Sequence, residues 1–138
     1  KLAINDLIKA MIAEYQDFAE ARQVHLVFEE HGVFTTVMNK DLAVILISNL
    51  LKNAINHNRL NGTVKITESE SSISFANTGK LVALDEQQIF ERFRKDSHAK
   101  NSTGLGLAIV KSITNLYDFD LYYSFDAGQH QFRVSLKS

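Results

Sequence analysis

The groups best suited to chemistry in this chain lie on a predicted helix over Leu42–His57 that carries several asparagines. Asn49, Asn53, Asn56 and His57 fall on one side of it, at spacings i, i+4, i+7 and i+8. Solvated helix faces favour Glu, Lys, Arg and Gln, whereas asparagine is a poor helix former. Amide oxygens suit a hard cation such as Mg²⁺ when phosphate groups supply the negative charge. The pattern therefore favours a functional face and predicts phosphate-binding segments elsewhere in the chain.

A glycine-containing segment, Ser102–Leu107 with the sequence STGLGL, is the first candidate for phosphate binding. It joins a polar stretch to a predicted helix that runs from Gly104 to about Tyr117. Glycine lets backbone N–H groups approach an anion closely, and a helix N-terminus favours negative charge. The chain lacks both the GxxxxGK[ST] motif and the GxGxxG motif of dinucleotide-binding folds. Taken alone, the segment is equally compatible with a flexible loop capped by a helix.

Two further segments carry groups of the same kind. Phe75–Gly79 reads FANTG at the end of a predicted strand, and the side-chain oxygen of Asn77 is able to accept a hydrogen bond from an exocyclic amine such as that of adenine. Ile89–Lys95 reads IFERFRK and combines two phenylalanines with three basic residues. Taken alone, the first segment is a turn and the second a short amphipathic helix docked through its phenylalanines.

Helices and strands are interspersed along the chain and must position these segments. A first helix begins at Asn5 and Asp6, and Leu84–Arg94 is a shorter, broken one. The predicted strands are Val24–Glu29, Val33–Met38, Thr63–Glu68, Ser72–Ala76, Leu121–Phe125 and Gln131–Lys137. Short turns join consecutive strands. The order predicts an α+β fold, a two-layer α/β sandwich in which a mixed sheet packs against helices on one face.

The composition bounds the class of protein. The 138 residues suit a single domain, residues 1–138, and a hydrophobic content of 45% provides a core. A net charge of -1 argues against nonspecific nucleic-acid binding, and the absence of cysteine excludes thiolate chemistry. The longest apolar run, Leu42–Ile47, is too short to cross a bilayer. Because the chain opens on Lys1 rather than methionine, we expect a piece of a longer protein.

In this order, the four segments resemble the N box, first glycine box, F box and second glycine box of histidine kinase ATP-binding domains. That family belongs to a superfamily shared with DNA gyrase, the MutL mismatch-repair proteins and a major heat-shock chaperone. The resemblance covers nearly the whole chain. It implies the Bergerat fold, with ATP and Mg²⁺ held between helices and a flexible ATP lid over Arg94–Thr103.

The resemblance also implies roles for individual residues. Asn53 matches the asparagine that holds Mg²⁺ against the phosphates, and Asn49 matches its catalytic partner one turn earlier. Asn77 takes the place of the aspartate that reads the adenine amine. Phe90 and Phe93 match the F box. The implied nucleotide-binding set is Asn53, Asn56, His57, Asn77, Gly79, Phe93, Lys95, Thr103, Gly104, Leu105, Gly106 and Leu107.

Four positions depart from the family pattern. Asn77 is neutral where the family usually has a carboxylate, and Leu81 replaces the second glycine of its first glycine box. Asn56 stands where many relatives have a phosphate-binding lysine, and Ser102 replaces a common glycine. The metal asparagine and the lid glycines are all present.

The position of Asn49 bears on the reaction. In hydrolysing members of the superfamily, a glutamate at that position activates water, and an asparagine has no useful basicity. Transfer to a supplied nucleophile is therefore favoured over hydrolysis. The family's acceptor histidine lies on a separate dimerisation domain, and none of His25, His31, His98 and His130 has its sequence context. We therefore expect phosphate transfer to a histidine outside this chain.

The partners implied are the dimerisation and phosphoacceptor domain of the same protein and a downstream response regulator. No nucleic acid is expected, and a membrane is expected only through other parts of the parent, of which this chain is a cytoplasmic domain. Two alternatives stay open. One is a degenerate nucleotide-binding or regulatory module without phosphotransfer, and the other is an anti-sigma-type serine kinase, suggested by the NAINH stretch. A structural domain without a ligand would require four chance motif matches.

Overall fold

The computed structural model describes residues 2–58, 61–78, 106–126 and 128–136. Three helices and seven strands lie in these ranges. They are β1 (Leu2–Ala3), α1 (Asn5–Ala21), β2 (His25–Glu30), β3 (Thr35–Thr36), α2 (Lys40–Asn56), β4 (Thr63–Glu68), β5 (Ser72–Thr78), α3 (Gly106–Leu116), β6 (Phe119–Asp126) and β7 (Gln129–Leu136). The predicted short helix over Leu84–Arg94 and the polar loop after it lie outside the described residues.

Five strands form one mixed sheet in the order β2-β4-β5-β7-β6. The β2–β4 pair is parallel, because α2 lies between these strands in the chain and carries it back across the sheet. The β4–β5 and β6–β7 pairs are antiparallel hairpins, since a short turn joins each pair. Strand β7 then pairs with β5 and joins the two hairpins into one sheet.

The core lies between this sheet and the three helices. Each helix contacts the sheet, α1 at β2, α2 at β4 and β5, and α3 at β6, while α2 also contacts both other helices. Alternate strand residues such as Ile66, Phe75 and Phe132 are at most 2% exposed and share the helix-facing side. Each such side chain contributes about 1.5–3 kcal/mol through burial. The predicted α+β sandwich is confirmed.

The central helix α2 begins at Lys40, two residues before the start of the predicted helix over Leu42–His57. Asn39 is its N-cap, and its side-chain oxygen accepts a hydrogen bond from the backbone N–H of Leu42 at 3.1 Å. The opposite side of the helix is apolar and buried, as its periodicity predicts. The buried residues are Ala43, Leu46, Ile47, Leu50, Leu51, Ala54 and Ile55. This burial fixes the rotation of α2 and leaves its asparagines on the other side.

The predicted strand over Val33–Met38 is wrong in extent, because only Thr35–Thr36 is a strand. The backbone N–H of Phe34 donates instead to the Oε2 atom of Glu68 at 2.8 Å. The short strand β3 pairs with β1, which the sequence did not predict. In the described ranges, every helix is too short or too polar to pass through a bilayer.

Candidate functional site

The asparagine face of α2 is at the protein surface, and its residues are half-buried. The Nδ2 atom of Asn49 donates to the carbonyl of Ile45 in the preceding turn, at 2.8 Å. This bond uses the donor end of the amide. The Oδ1 atom remains as the acceptor, and Asn53 follows one turn later on the same face.

Helix α3 begins directly against this face. A Cβ atom built on Gly106 would lie 3.2 Å from Oδ1 of Asn49, which is closer than almost any side chain tolerates. Glycine at this position therefore lets the first turn of α3 approach the asparagine face. Leu107 packs against the core from the same turn. A helix N-terminus, which attracts anions, and amide oxygens, which bind hard cations, thus lie side by side.

Asn77 lies at the end of β5 on the helix-facing side of the sheet and is 2% exposed. Its Nδ2 atom donates to the carbonyl oxygen of Thr78 at 2.8 Å. That bond orients the amide and leaves the side-chain oxygen as an acceptor. Asn77 stands in register with Val64 on β4 and His130 on β7.

A cluster of polar residues ties the end of α2 to the end of β5. The hydroxyl of Thr78 donates to Oδ1 of Asn58, while Nδ2 of Asn58 donates to the carbonyl of Thr63 at 3.1 Å. The backbone N–H of Thr63 donates back to the Thr78 hydroxyl at 3.2 Å. A Cβ atom on Gly62 would collide with the side chains of both Asn58 and Thr78. In the sequence, the Asn61-Gly62 pair is a tight-turn signal, which gives no indication of this tie.

Asn56 and His57, at the end of α2, occupy different surroundings from Asn49. The Oδ1 atom of Asn56 accepts a hydrogen bond from Nε of Arg22, which lies at the end of α1. The two atoms are 3.1 Å apart. His57 is the C-cap residue, and its backbone N–H donates to the carbonyl of Asn53 at 3.0 Å. The structure therefore couples Asn56 to α1, which the sequence did not predict.

The remaining predicted site residues belong to the segment between β5 and α3. Gly79, Phe93, Lys95, Thr103, Gly104 and Leu105 lie outside the described residues, as do Phe90 and Leu81. Of the predicted set, the structure brings Asn49 and Gly106 together and sets Asn53, Asn56 and His57 on the same helix. Asn77 lies on β5, and α2 packs against that strand.

The donor set fits a nucleotide with a hard cation. Neutral amide oxygens on α2 supply ligand atoms without adding negative charge, and phosphate groups complete such a site. The close approach of Gly106 to Asn49 sets the first turn of α3, which favours an anion, beside these amides. Asn77 offers a buried acceptor suited to an exocyclic amine.

Comparison with known proteins identifies the family. Residues 38–138 match the family described as histidine kinase-, DNA gyrase B-, and HSP90-like ATPase. The heme sensor protein HssS of Staphylococcus aureus is 35% identical over 122 residues, which cover 85% of this chain and 26% of that protein. This chain thus spans about a quarter of the length of that relative.

Solved structures agree on the fold. The catalytic domain of the histidine kinase ThkA superimposes with a TM-score of 0.81 at 21% identity, covering 98% of this chain and 92% of that one. ThkA in complex with the response regulator TrrA gives a TM-score of 0.73 at 19% identity, covering 98% and 40%.

The chain belongs to the family of histidine kinase-, DNA gyrase B- and HSP90-like ATPases. Within this family, its fold is that of histidine kinase catalytic domains. The resemblance drawn from the four sequence segments is confirmed.

Proposed function

We propose that this domain binds Mg·ATP and transfers the γ-phosphoryl group to a histidine on a separate dimerisation domain of a two-component sensor kinase. The observation that carries the proposal is the contact between the first residue of α3 and the asparagine face of α2. It sets an anion-attracting helix terminus beside the amides of Asn49 and Asn53. Phosphoryl transfer depends mainly on such positioning and charge neutralisation.

In this proposal Asn53 is the ligand of Mg²⁺, and Asn49 supports it one turn earlier. When bound, the cation would neutralise the negative charge that develops on the phosphate oxygens during transfer. The N-terminus of α3 at Gly106 and Leu107 receives the phosphates. Asn77 accepts the adenine amine through its free side-chain oxygen, while Thr78 holds the other end of the amide.

Asn49 supports transfer over hydrolysis. Its amide has no basicity, and its nitrogen already donates to the carbonyl of Ile45. The site therefore lacks, at this position, a carboxylate that could activate water. The transfer breaks the bond between the γ-phosphorus and the oxygen of ADP and forms a phosphorus–nitrogen bond to the acceptor imidazole.

The proposed partners are the phosphoacceptor domain of the same protein and a response regulator. The complex of ThkA with the response regulator TrrA supports this kind of partner. The chain matches only part of HssS, which supports a longer parent protein. We place the domain in the cytoplasm, with any membrane attachment made by other parts of that parent.

Calorimetric titration of ATP and ADP, with and without Mg²⁺, tests the proposal. We expect Mg²⁺ to tighten ATP binding to the unmodified chain and to have no such effect on Asn53→Ala. Asn77→Ala should weaken binding about tenfold, since a lost hydrogen bond to a buried acceptor costs about 1–3 kcal/mol. Asn115→Ala, at an exposed position of α3, is the matched control and should bind like the unmodified chain.

A regulatory module without phosphotransfer is the second candidate. The bond between Arg22 and Asn56 favours it, because Asn56 replaces a phosphate-binding lysine in many relatives and its oxygen is already engaged. Nucleotide binding without transfer, once a phosphoacceptor domain is supplied, would establish this candidate. A folded chain that binds no nucleotide would refute the kinase proposal and favour a purely regulatory module.

A further inference from the structure

The residue opposite Asn77 in the sheet is a buried histidine. His130 on β7 pairs in register with Asn77 on β5 and with Phe125 on β6. Directly opposed residues on one face of an antiparallel pair have Cβ atoms about 4.5–5.5 Å apart. Asn77 is 2% exposed and His130 is 4% exposed, so a polar pair is buried on the helix-facing side of the sheet.

The imidazole of His130 is held by Tyr123. The Tyr123 hydroxyl lies 2.6 Å from Nδ1 of His130, and the two rings stack at an interplanar angle of 20° with their centroids 5.9 Å apart. Phe125 packs on the same imidazole, with its ring centroid 4.7 Å away. These contacts fix both the position and the rotation of the imidazole.

This arrangement is unusual for a core position. The residues that follow His130 on the same side of β7 are Phe132 and Val134, both at most 2% exposed. An apolar residue would continue that pattern without the cost of burying a polar ring. The histidine and its tyrosine partner interrupt the pattern at the register position of Asn77, the proposed base-reading residue.

The chemistry of an amide explains why Asn77 needs such a neighbour. A carboxylate presents two equivalent acceptors, whereas an amide has an acceptor end and a donor end. The acceptor end matches the 6-amino group of adenine, and the donor end matches the 6-oxo group of hypoxanthine or guanine. The orientation of Asn77 therefore decides which purine fits.

Resting on the function proposed above, we infer that Tyr123 and His130 are positioning residues that make the site selective for 6-amino over 6-oxo purines. In this proposal the Tyr123 hydroxyl is the donor to Nδ1, which places the ring proton of His130 on Nε2. Because His130 is opposite Asn77 in the β5–β7 register, an Nε2–H group directed at Asn77 would favour the orientation in which the amide oxygen is the acceptor. The bond from Asn77 to the Thr78 carbonyl favours the same orientation.

The test compares the affinities of ADP and inosine diphosphate, which differ at the amine that Asn77 is proposed to read. We expect the unmodified chain to bind ADP at least about tenfold more tightly, as expected for one matched rather than mismatched hydrogen-bonding group. Tyr123→Phe removes only the hydroxyl. It should lower the ratio of ADP affinity to inosine diphosphate affinity at least about threefold, because the preferred orientation of Asn77 is only partly lost. His130→Phe should lower this ratio further.

Tyr122→Phe is the matched control. Tyr122 is adjacent on β6 but lies on the opposite face, where Arg133 covers its ring at 5.0 Å. The same deletion of a hydroxyl there should leave the ADP preference unchanged. Melting temperatures of all variants separate a change in base preference from a loss of folding, and Tyr123→Phe carries the test if His130→Phe does not fold.

Three outcomes would overturn the inference. An unmodified chain that binds both diphosphates equally would refute base selectivity, while leaving nucleotide binding intact. The second outcome is a Tyr123→Phe variant that keeps the original ratio of ADP to inosine diphosphate affinity, or loses affinity for both ligands by the same factor. Either result would show that Tyr123 and His130 have a structural role only. An unmodified chain that binds neither diphosphate would refute the proposed function itself.

Discussion

At the scale of single residues, Gly62 lies where neighbouring side chains leave no room for a Cβ atom. The residue is buried, and the side chains of Asn58 and Thr78 occupy the space that its Cβ atom would need. Those two side chains tie the end of α2 to the end of β5. The absence of a side chain at residue 62 therefore determines how closely α2 approaches the strand that carries Asn77.

Gly62→Ala should lower the free energy of unfolding by about 1–3 kcal/mol, because the new methyl group forces neighbouring groups apart in a packed region. Urea denaturation measures the change. In a background carrying both Asn58→Ala and Thr78→Ala, the same substitution should cost less than about 1 kcal/mol, since interactions between contacting residues are not additive. Equal costs in the two backgrounds would show that the two side chains are not the cause.

Single residues were predictable from the sequence where their type was unusual for their element. Asn49 and Asn53 stood out because asparagine is uncommon on a helix face. Asn58, Gly62 and His130 did not, because asparagine and glycine are ordinary in turns and a histidine at a strand end has no local signature. Their importance depends on cross-strand register and tertiary contacts, which residue spacing does not encode.

At the scale of elements, α1 and α2 are joined at their C-terminal ends by Arg22. Its Nε atom donates to Asn56, and its guanidinium lies 4.3 Å from the centroid of the Phe18 ring. The first contact crosses between helices, and the second holds the guanidinium against its own helix. Arg22 thus limits the movement of the last turn of α2 relative to α1.

Arg22→Ala should lower the free energy of unfolding by about 1–2 kcal/mol, the sum expected for one hydrogen bond and one partly exposed cation–π contact. Arg22→Lys should restore little of this, because lysine lacks the planar group that makes both contacts. Chemical denaturation provides the measurement. Arg133→Ala is the control, since that side chain covers Tyr122 on the exposed face of the sheet. Equal losses at both positions would contradict a role in joining the helices.

The elements themselves were predicted unevenly. The sequence placed α2 and β4 correctly because a strong apolar period or a clear alternation marks each of them. It overextended β3 and missed β1, since strands of two residues are too short to show a period. Their pairing is stabilised by backbone contacts such as that of Ile4 N–H with the Phe34 carbonyl, at 2.9 Å.

At the scale of the whole molecule, a buried carboxylate affects stability. Glu68 is fully buried, its Oε2 atom accepts from Phe34, and its Oε1 atom has no hydrogen-bond partner among the described residues. Burial raises the pKa of Glu68, and the bond from Phe34 opposes that rise only in part. Further out, Glu30 and Asp6 also raise this pKa, whereas Lys9 lowers it.

A raised pKa means that the folded state binds the proton of Glu68 more tightly than the unfolded state does. Its contribution to stability is present in full below the unfolded pKa of about 4.3 and is lost as the pH rises through the folded pKa. Relative to the unmodified chain, Glu68→Gln should therefore gain stability between about pH 4 and 7, the range that begins at that unfolded value. Denaturation across this range measures the difference.

Glu29 provides a control, because its pKa is shifted in the opposite direction from that of Glu68. Hydrogen bonds from Lys65 and then His31 lower the pKa of its carboxyl group. The stability that Glu29 contributes is present above its unfolded pKa and is lost as the pH falls through the folded pKa. Glu29→Gln should thus lose relative stability as the pH rises from the acid range. A Glu68→Gln variant that behaves in the same way would contradict the assignment of a raised pKa.

The pairing of β5 with β7 has a consequence for how the molecule folds. The two hairpins form from neighbours in the chain, whereas joining them closes a long segment that contains α3 between Thr78 and Gln129. Closure entropy grows slowly with length, by about 0.6 kcal/mol for each doubling of a flexible loop. Because this cost changes so little with length, insertions and deletions between β5 and α3 are expected to leave the pairing of β5 with β7 in place.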